Sequence, residues 1–174
     1  MKQHVKLSGL LIICLLAFNQ SVMAQDKIAH INSQEFIESM PAYKSAMKEL
    51  QQIDKSYRKD VDEMLKEAEK TNKRYQAEQE QVSQQENQKR AKRLKEMQDN
   101  IMKFSDNAKK DLQKKREELL RPVYEKAREI IQKVAREKGF NYVLDSTTGT
   151  GLLLADGYDL MDDVKAELAS DSSN

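Results

Sequence analysis

The sequence contains no tryptophan, one cysteine, two prolines, five glycines and two histidines in 174 residues. A single cysteine excludes a disulfide framework within the chain and a cysteine-based zinc site. So few glycines and prolines argue against an all-β fold, because such a fold needs many tight turns. His30 is the only histidine after residue 24, and no serine has an evident histidine partner for nucleophilic catalysis. We therefore expect no enzyme activity, no bound metal and no cofactor.

Charged residues are abundant. They make up 34% of the chain, against about a quarter in an average soluble domain. Lysine, glutamate, glutamine, alanine, methionine and leucine are all frequent, and these residues favour long helices or coiled coils. The composition therefore predicts an elongated helical protein rather than one with a large buried core.

The N-terminus has the three parts of a secretory signal peptide. Lys2 and Lys6 give a positive start, residues 7–18 form an apolar run, and compact residues lead up to Ala24. The apolar run is too short to span a bilayer, which takes about 20 residues. We predict cleavage after Ala24 and export to a bacterial periplasm. The mature chain, residues 25–174, then has no cysteine and keeps 28 of the 30 basic residues against 29 acidic ones.

The segment before the first proline predicts one strand and one short helix. Residues 27–32 alternate apolar and polar side chains, as a half-buried strand does. Ser33 is the expected N-cap of a short helix over 34–40. Pro41 ends that helix and suits the first position of the next one.

A long stretch without glycine or proline follows, over residues 42–121. Apolar residues recur at intervals of three and four from Tyr43 to Val82 and again from Ala91 to Ala108, which is typical of a coiled coil. A polar gap at 83–88 separates the two runs. Either one helix continues through the gap, or the chain reverses there to form an antiparallel hairpin. We favour the hairpin, because a single isolated helix would lack a packing partner along its length.

The C-terminal part predicts two more strands and a helix. Lys138 and Gly139 are a suitable helix end. Residues 140–145 and 151–155 are expected to be strands joined by a turn, followed by a helix over 159–169. The predicted organisation is thus a signal peptide at 1–24, a body segment at 25–41, a helical arm at 42–138 with its tip near 83–88, a second body segment at 139–170 and a frayed tail at 171–174.

Positive charge is concentrated on the outer arm. Residues 70–115 hold 13 basic and 7 acidic side chains. Such charge is most often a solvated helix surface, but it also suits acidic protein segments or anionic lipid headgroups. Aromatic residues do not interleave with the basic run, so nucleic acid is not an expected partner.

The apolar residues of the arm mostly fit the coiled-coil seam, although flexible methionines also suit varied hydrophobic partners. A flexible arm of this kind could hold unfolded protein chains, which we call clients, through many weak contacts. The candidate client-binding residues of the arm are Tyr75, Val82, Lys89, Arg90, Lys92, Arg93, Lys95, Met97, Ile101, Met102 and Phe104.

Several blocks, in this order, carry a resemblance to a known family. They are the strand KIAHIN at 27–32, Ser-Met-Pro at 39–41, the block RPVYEKAREIIQKVAREKGFNYVLD ending at Asp145, and DLMDDV at 159–164. Together with the signal peptide, they make residues 1–170 resemble the Skp/OmpH-like periplasmic chaperones.

This resemblance implies a mainly α fold with a small β body, in which a long antiparallel helical hairpin projects from a short-stranded trimerisation body. It implies a jellyfish-like homotrimer that holds unfolded outer-membrane proteins without ATP until they insert. An alternative is a structural coiled-coil adaptor of the cell envelope that binds a folded partner. On the family view the residues expected to join the subunits are Ile28, Ile31, Tyr142, Val143, Leu144, Leu152, Leu153 and Leu154.

Overall fold

The computed structural model describes residues 27–171, so the predicted signal peptide and its cleavage site lie outside the described residues. The elements, in chain order, are β1 (Ile28–Ile31), α1 (Ser33–Ser39), α2 (Pro41–Ala77), α3 (Gln84–Glu137), β2 (Tyr142–Asp145), β3 (Tyr158–Asp159) and α4 (Met161–Asp171). The long helices α2 and α3 form an arm, and the remaining elements form a small body at its base.

The arm is an antiparallel hairpin, which confirms the predicted fold. Its tip contains a single turn of 3-10 helix at Gln79–Gln81, and α3 begins after Ser83, whose Oγ accepts a hydrogen bond from the Glu86 N–H at 3.2 Å. The side-chain amide of Asn87 donates to the Gln79 carbonyl at 3.0 Å. The reversal therefore lies at 78–83, a few residues before the expected tip, because Ser83 caps a helix that already includes the polar run.

The seam between α2 and α3 follows the predicted spacing of three and four. Leu50 and Thr71 are buried, and the other apolar seam positions are mostly half-buried. A hydrogen bond crosses the seam, where the Tyr57 hydroxyl donates to Asp111 at 2.6 Å. The ring of Tyr57 also meets Phe104 edge-on, with the ring centroids 6.2 Å apart. A thin seam of this kind gives the arm length without a deep core.

Helix α3 continues through Pro122 and ends as predicted at Lys138 and Gly139. Gly139 has a positive φ of 74°, which suits a residue without a Cβ atom. Its N–H donates to the Arg136 carbonyl at 3.0 Å, and the Phe140 N–H donates to the Ala135 carbonyl at 2.9 Å. This pair of hydrogen bonds is a Schellman motif, and it turns the chain into β2.

The sheet is parallel, and its order is β2-β1-β3. The strand expected at 151–155 is therefore wrong, because β3 is Tyr158–Asp159 and the apolar run before it is not part of the sheet. A tight hairpin joins only antiparallel neighbours, and here the chain after β2 must cross over β1 before it pairs. Leu153 is 99% exposed in that crossover. The leucine-rich run therefore has the composition of a strand but does not form one.

The core of the body lies between the sheet and three helices. Ala29 and Ile31 of β1 pack with Phe36 of α1 and with Leu160 and Val164 at the start of α4. The α3 residues of the same core are Val123, Ala127, Ile130, Val134 and Ala135. The predicted apolar face of the last helix is confirmed, because Leu160 and Val164 are fully buried and Leu168 packs against the core.

The N-cap of α1 is one residue earlier than expected. Asn32, not Ser33, caps the helix, and its side-chain oxygen accepts the Glu35 N–H at 3.0 Å. Ser33 is the first helical residue, and its hydroxyl instead donates to Asp145 of β2 at 2.6 Å. Asparagine and serine are equally good caps in isolation, so the carboxylate brought in from β2 decides which residue takes each role.

Candidate functional surfaces

One face of the sheet is covered by the core and the other is open. Paired strand residues share a face, so Ala29 and Val143 lie towards the helices, whereas Ile28 and Tyr142 lie on the opposite side. Ile28 is 52% exposed, Tyr142 56% and Leu144 42%. These three side chains, which we call the open sheet face, form an apolar surface that the rest of the described chain leaves uncovered.

The residues expected to join subunits do not all lie on one surface. Ile28, Tyr142 and Leu144 lie together on the open sheet face, and Leu153 and Leu154 are exposed in the crossover. Leu152 and Val143 are half-buried. Ile31 is 2% exposed, so its side chain serves the core of its own chain.

His30 has a structural environment. It lies in the central strand, and its Nε2 is 3.2 Å from the carbonyl oxygen of Gly157. Gly157 immediately precedes β3, so this contact ties the crossover to β1. Among the hydrogen bonds of residues 27–171, no serine hydroxyl is bonded to the imidazole ring of His30.

A polar cluster joins the two ends of the body. Asp145 accepts from the Ser33 hydroxyl at 2.6 Å, from the Thr147 hydroxyl at 2.7 Å and from the Thr147 N–H at 2.9 Å. Partial burial raises the pKa of Asp145, but the hydrogen bonds from Ser33 and Thr147 outweigh that effect and lower it from 3.8 to about 2. We call this cluster the Asp145 clasp, because it links residues more than 100 positions apart in the chain.

An aromatic and charged cluster lies near the arm tip. The Arg90 guanidinium lies 4.7 Å from the centroid of the Tyr75 ring, and Arg74 lies 5.4 Å from it. Arg90 also forms an ion pair with Glu78 at 2.8 Å and a longer one with Glu86 at 3.6 Å. Its side chain is only 15% exposed, so Arg90 fixes the tip instead of offering a free cation.

The structure separates the remaining client-binding candidates into seam and surface. Val82, Met97, Ile101 and Phe104 are half-buried, as expected of seam residues. Met102 is 54% exposed. The exposed basic candidates are Lys89, Lys92, Arg93 and Lys95.

Leu65 is a surface residue that the sequence analysis did not select. It is 52% exposed on α2, next to the seam residue Met64. The sequence pattern could have indicated this exposure, because Leu65 directly follows the seam residue Met64 and therefore does not fit the spacing of three and four. Such a leucine has no partner across the seam.

Each arm helix has some cations in ion pairs and others with no ion pair within residues 27–171. On α2, ion pairs one helical turn apart link Lys59 with Glu63, Lys66 with Asp62, and Lys73 with Glu69. On α3, Lys89, Arg93, Lys95 and Lys103 have no ion pair within residues 27–171. Ten of the 13 basic residues at 70–115 lie on α3, so this helix carries most of the positive charge predicted for the outer arm.

The described part of the chain shows neither a membrane-spanning helix nor a metal-binding cluster. Within residues 27–171, no helix is both long and apolar enough to cross a bilayer. The same residues contain no group of three or more acidic, histidine or cysteine side chains that could hold a metal ion.

A long helical hairpin on a small parallel-stranded body is a fold that is also found among solved protein structures. The solved structure of a protein from Caulobacter crescentus CB15, described as "a putative outer membrane chaperone (OmpH-like)", superposes with a TM-score of 0.75 at 18% sequence identity. The alignment covers 85% of this chain and 86% of the other. A comparison with curated protein sequences gives no significant match.

The family model described as "Outer membrane protein (OmpH-like)" matches residues 27–168. The chain therefore belongs to the OmpH-like family, which confirms the resemblance drawn from its sequence blocks. Membership supports a chaperone role in general terms, and chaperones of this family are generally non-enzymatic and periplasmic.

Proposed function

We propose that this protein is an ATP-independent periplasmic holdase. It binds unfolded outer-membrane proteins and keeps them from aggregating before they insert into the membrane. The observation that carries the proposal is the arm, a hairpin built from helices of 37 and 54 residues with a thin seam and a largely solvated surface. Such a surface offers many weak contacts rather than one defined pocket, and weak distributed contacts suit unfolded chains of varied sequence.

The charge of the arm supports the same role. Cations of α3 that lack ion pairs attract acidic segments of a client and raise the rate of encounter. They also suit anionic lipid headgroups, and we propose these as a secondary partner near the membrane surface. Nucleic acid is not a proposed partner of an exported protein.

The open sheet face supports assembly into a homotrimer through the body. Ile28, Tyr142 and Leu144 are exposed together, and isolated monomers rarely leave a contiguous apolar surface uncovered. Burial of these three side chains between copies would remove them from water. Three bodies joined in this way would present three arms around a shared space for the client.

Light scattering with an added client tests both parts of the proposal. The mass of the protein is measured alone, and again after dilution of a urea-denatured outer-membrane barrel into it. We expect a trimer and a discrete soluble complex. A monomer or dimer that leaves the barrel to aggregate would instead favour the envelope adaptor with a folded partner.

A pair of matched variants tests the proposed assembly surface. Leu144→Asp places a charge on the open sheet face, and burial of an unpaired charge between subunits is costly, so the oligomer should dissociate. Leu65→Asp makes the same change at a similarly exposed leucine of the arm. It should leave the oligomeric state unchanged, and an unaltered sedimentation profile for Leu144→Asp would contradict the proposed surface.

A further inference from the structure

We infer that the leucine-rich segment before β3, residues 151–156, docks as an extended strand into a groove beside β2 of a second copy of this chain. The inference rests on the proposed homotrimer and specifies which segment reaches the neighbouring copy and where it binds. The segment leads into β3 at one edge of the sheet, and the groove lies at the other edge, beside β2. Each copy therefore gives one strand and receives one.

The groove is a single open cavity of about 750 Å³ between β2 and α3. Its apolar lining includes Ile131, Phe140 and Val143, which are half-buried and pack against the core of the body. The groove is thus one continuous surface at which the core of the body meets the solvent. An extended strand that lies along β2 covers this lining with one of its two faces.

β2 offers a free backbone edge beside the groove. Within residues 27–171 the sheet order is β2-β1-β3, so β2 has a neighbouring strand on one side only. The N–H groups of Tyr142 and Ser146 donate towards β1, at 3.4 and 2.9 Å. Since the backbone groups of successive strand residues point to alternate sides, those of Val143 point away from β1. An unpaired edge of this kind is a template for a strand from another chain.

The segment of the same chain cannot fill the groove while it continues into its own β3. A strand beside β2 lies three strand spacings from β3, about 14 Å in all. If residues 151–155 paired along β2, only the three residue steps from Ala155 to Tyr158 would remain to cover this distance. Three residues span at most about 11 Å. The groove and the segment therefore meet between two copies.

The segment has the properties of a strand that lacks a partner. Residues 152–156 form neither helix, strand nor turn. Leu153 is 99% exposed and Leu154 is 72% exposed. Successive side chains of a strand point to opposite faces, so docking turns one leucine into the groove and the other towards the side of the open sheet face. An apolar groove and an apolar segment, both uncovered in one chain, thus cover each other between two copies.

Charge favours the same pairing. Arg128 and Arg136 line the α3 side of the groove, and Asp145 lines it at the end of β2. Asp145 is already engaged in the Asp145 clasp, so the two arginines are the charges left for a docked segment. Asp156, at the end of the segment, is exposed. Neither Asp156 nor the two arginines have an ion pair within residues 27–171, so the docked segment can pair its carboxylate with either arginine.

Contacts of this kind close into a ring. Each copy gives a strand at its β3 edge and receives one at its β2 edge, so the interface is head-to-tail, and such interfaces generate closed rings. Closure also covers the sheet edges that a single copy leaves open. An extended client segment competes for the same groove, but a segment tethered within the assembly has a far higher effective concentration. The second copy is therefore the occupant.

Disulfide trapping between copies tests the placement of the segment. In a Cys14→Ser background the chain has no other cysteine. Gln132→Cys places a thiol on the exposed α3 side of the groove and is combined with either Leu153→Cys or Leu154→Cys. The matched control combines Gln132→Cys with Leu65→Cys, at a leucine of the arm that is 52% exposed. Covalent dimers and trimers are resolved on non-reducing gels after mild oxidation.

We expect at least one of the two segment pairs to give about fivefold more cross-linked chains than the control, since a disulfide needs Cβ atoms within about 4.5 Å. The inference is overturned if neither pair exceeds the control. It is also overturned if the thiols are oxidised in a species that migrates as a monomer, because the segment then fills the groove of its own chain. Light scattering separates the two proposals: a trimer without cross-links refutes only the placement, and a monomer refutes the homotrimer as well.

A double substitution keeps the test independent of disulfide chemistry. Leu153→Ser with Leu154→Ser changes side chains that are exposed in a single chain, so the circular dichroism spectrum should not change. We expect the concentration at which half of the oligomer dissociates to rise about tenfold, and Leu65→Ser to change it less than about twofold. An unchanged midpoint for the double variant would overturn the inference. So would protection of the thiol of Gln132→Cys from alkylation that arises only when an unfolded outer-membrane barrel is added, because the groove would then belong to the client.

Discussion

The Asp145 clasp should make the stability of the body depend on the ionisation of one carboxylate. The pKa of Asp145 is lowered from 3.8 to about 2, which corresponds to roughly 2.4 kcal/mol in favour of the ionised native state. Asp145 is exposed, and solvent screening reduces such interactions, so we expect about 1 kcal/mol. The substitution to make is Asp145→Asn, which keeps an acceptor oxygen for Ser33 and Thr147 but removes the charge.

The sign of the pH dependence follows from the lowered pKa. Because the pKa of Asp145 is lower in the folded state than in the unfolded state, its ionised carboxylate stabilises the native state at any pH above about 4. This contribution disappears as the pH falls through about 2. The difference in free energy of unfolding between wild type and Asp145→Asn should therefore be complete at pH 7 and about half lost at pH 3.

Urea unfolding followed by circular dichroism measures this difference. The protein concentration is held fixed, because the stability of an oligomer depends on it. Asp156→Asn is the matched control, since Asp156 is exposed and has no ion pair within residues 27–171. The reasoning is refuted if both variants lose the same stability at pH 7, or if the loss caused by Asp145→Asn does not change with pH.

Three further predictions concern the arm and the core. Tyr57→Phe leaves Asp111 without its 2.6 Å donor and should lower the Tm of the protein. In wild type, the hydrogen bond to Asp111 raises the pKa of Tyr57 above 10. An ordinary tyrosine pKa for Tyr57 in an ultraviolet titration would contradict the contact. Ser83→Ala removes the α3 cap and should cost about 1 kcal/mol, whereas an unchanged urea midpoint would show that the cap is dispensable. Phe36→Ala should cost about 3–5 kcal/mol, clearly more than Phe104→Ala at the half-buried seam, and equal losses would contradict the burial pattern.

Much of the architecture is encoded locally and could be predicted. The spacing of three and four, the break at the polar run, Pro41 at a helix start and Gly139 at a helix end each act within one or two helical turns. The exact position of the tip was less predictable, because a helix cap and a short turn can both be built from the same polar residues. The client-binding candidates could be named from composition, but their division into seam and surface needed the register of the hairpin.

Sequence by itself determined the family, the long helical arm, the basic outer segment and the buried face of the last helix. Each of these depends on periodicity or on charge counted along the chain. Only the tertiary structure decided the parallel order of the sheet, the exposure of Leu153 and the hydrogen bond between Ser33 and Asp145. These features depend on contacts between residues far apart in the chain, and the free energy of such contacts is not visible in any local pattern.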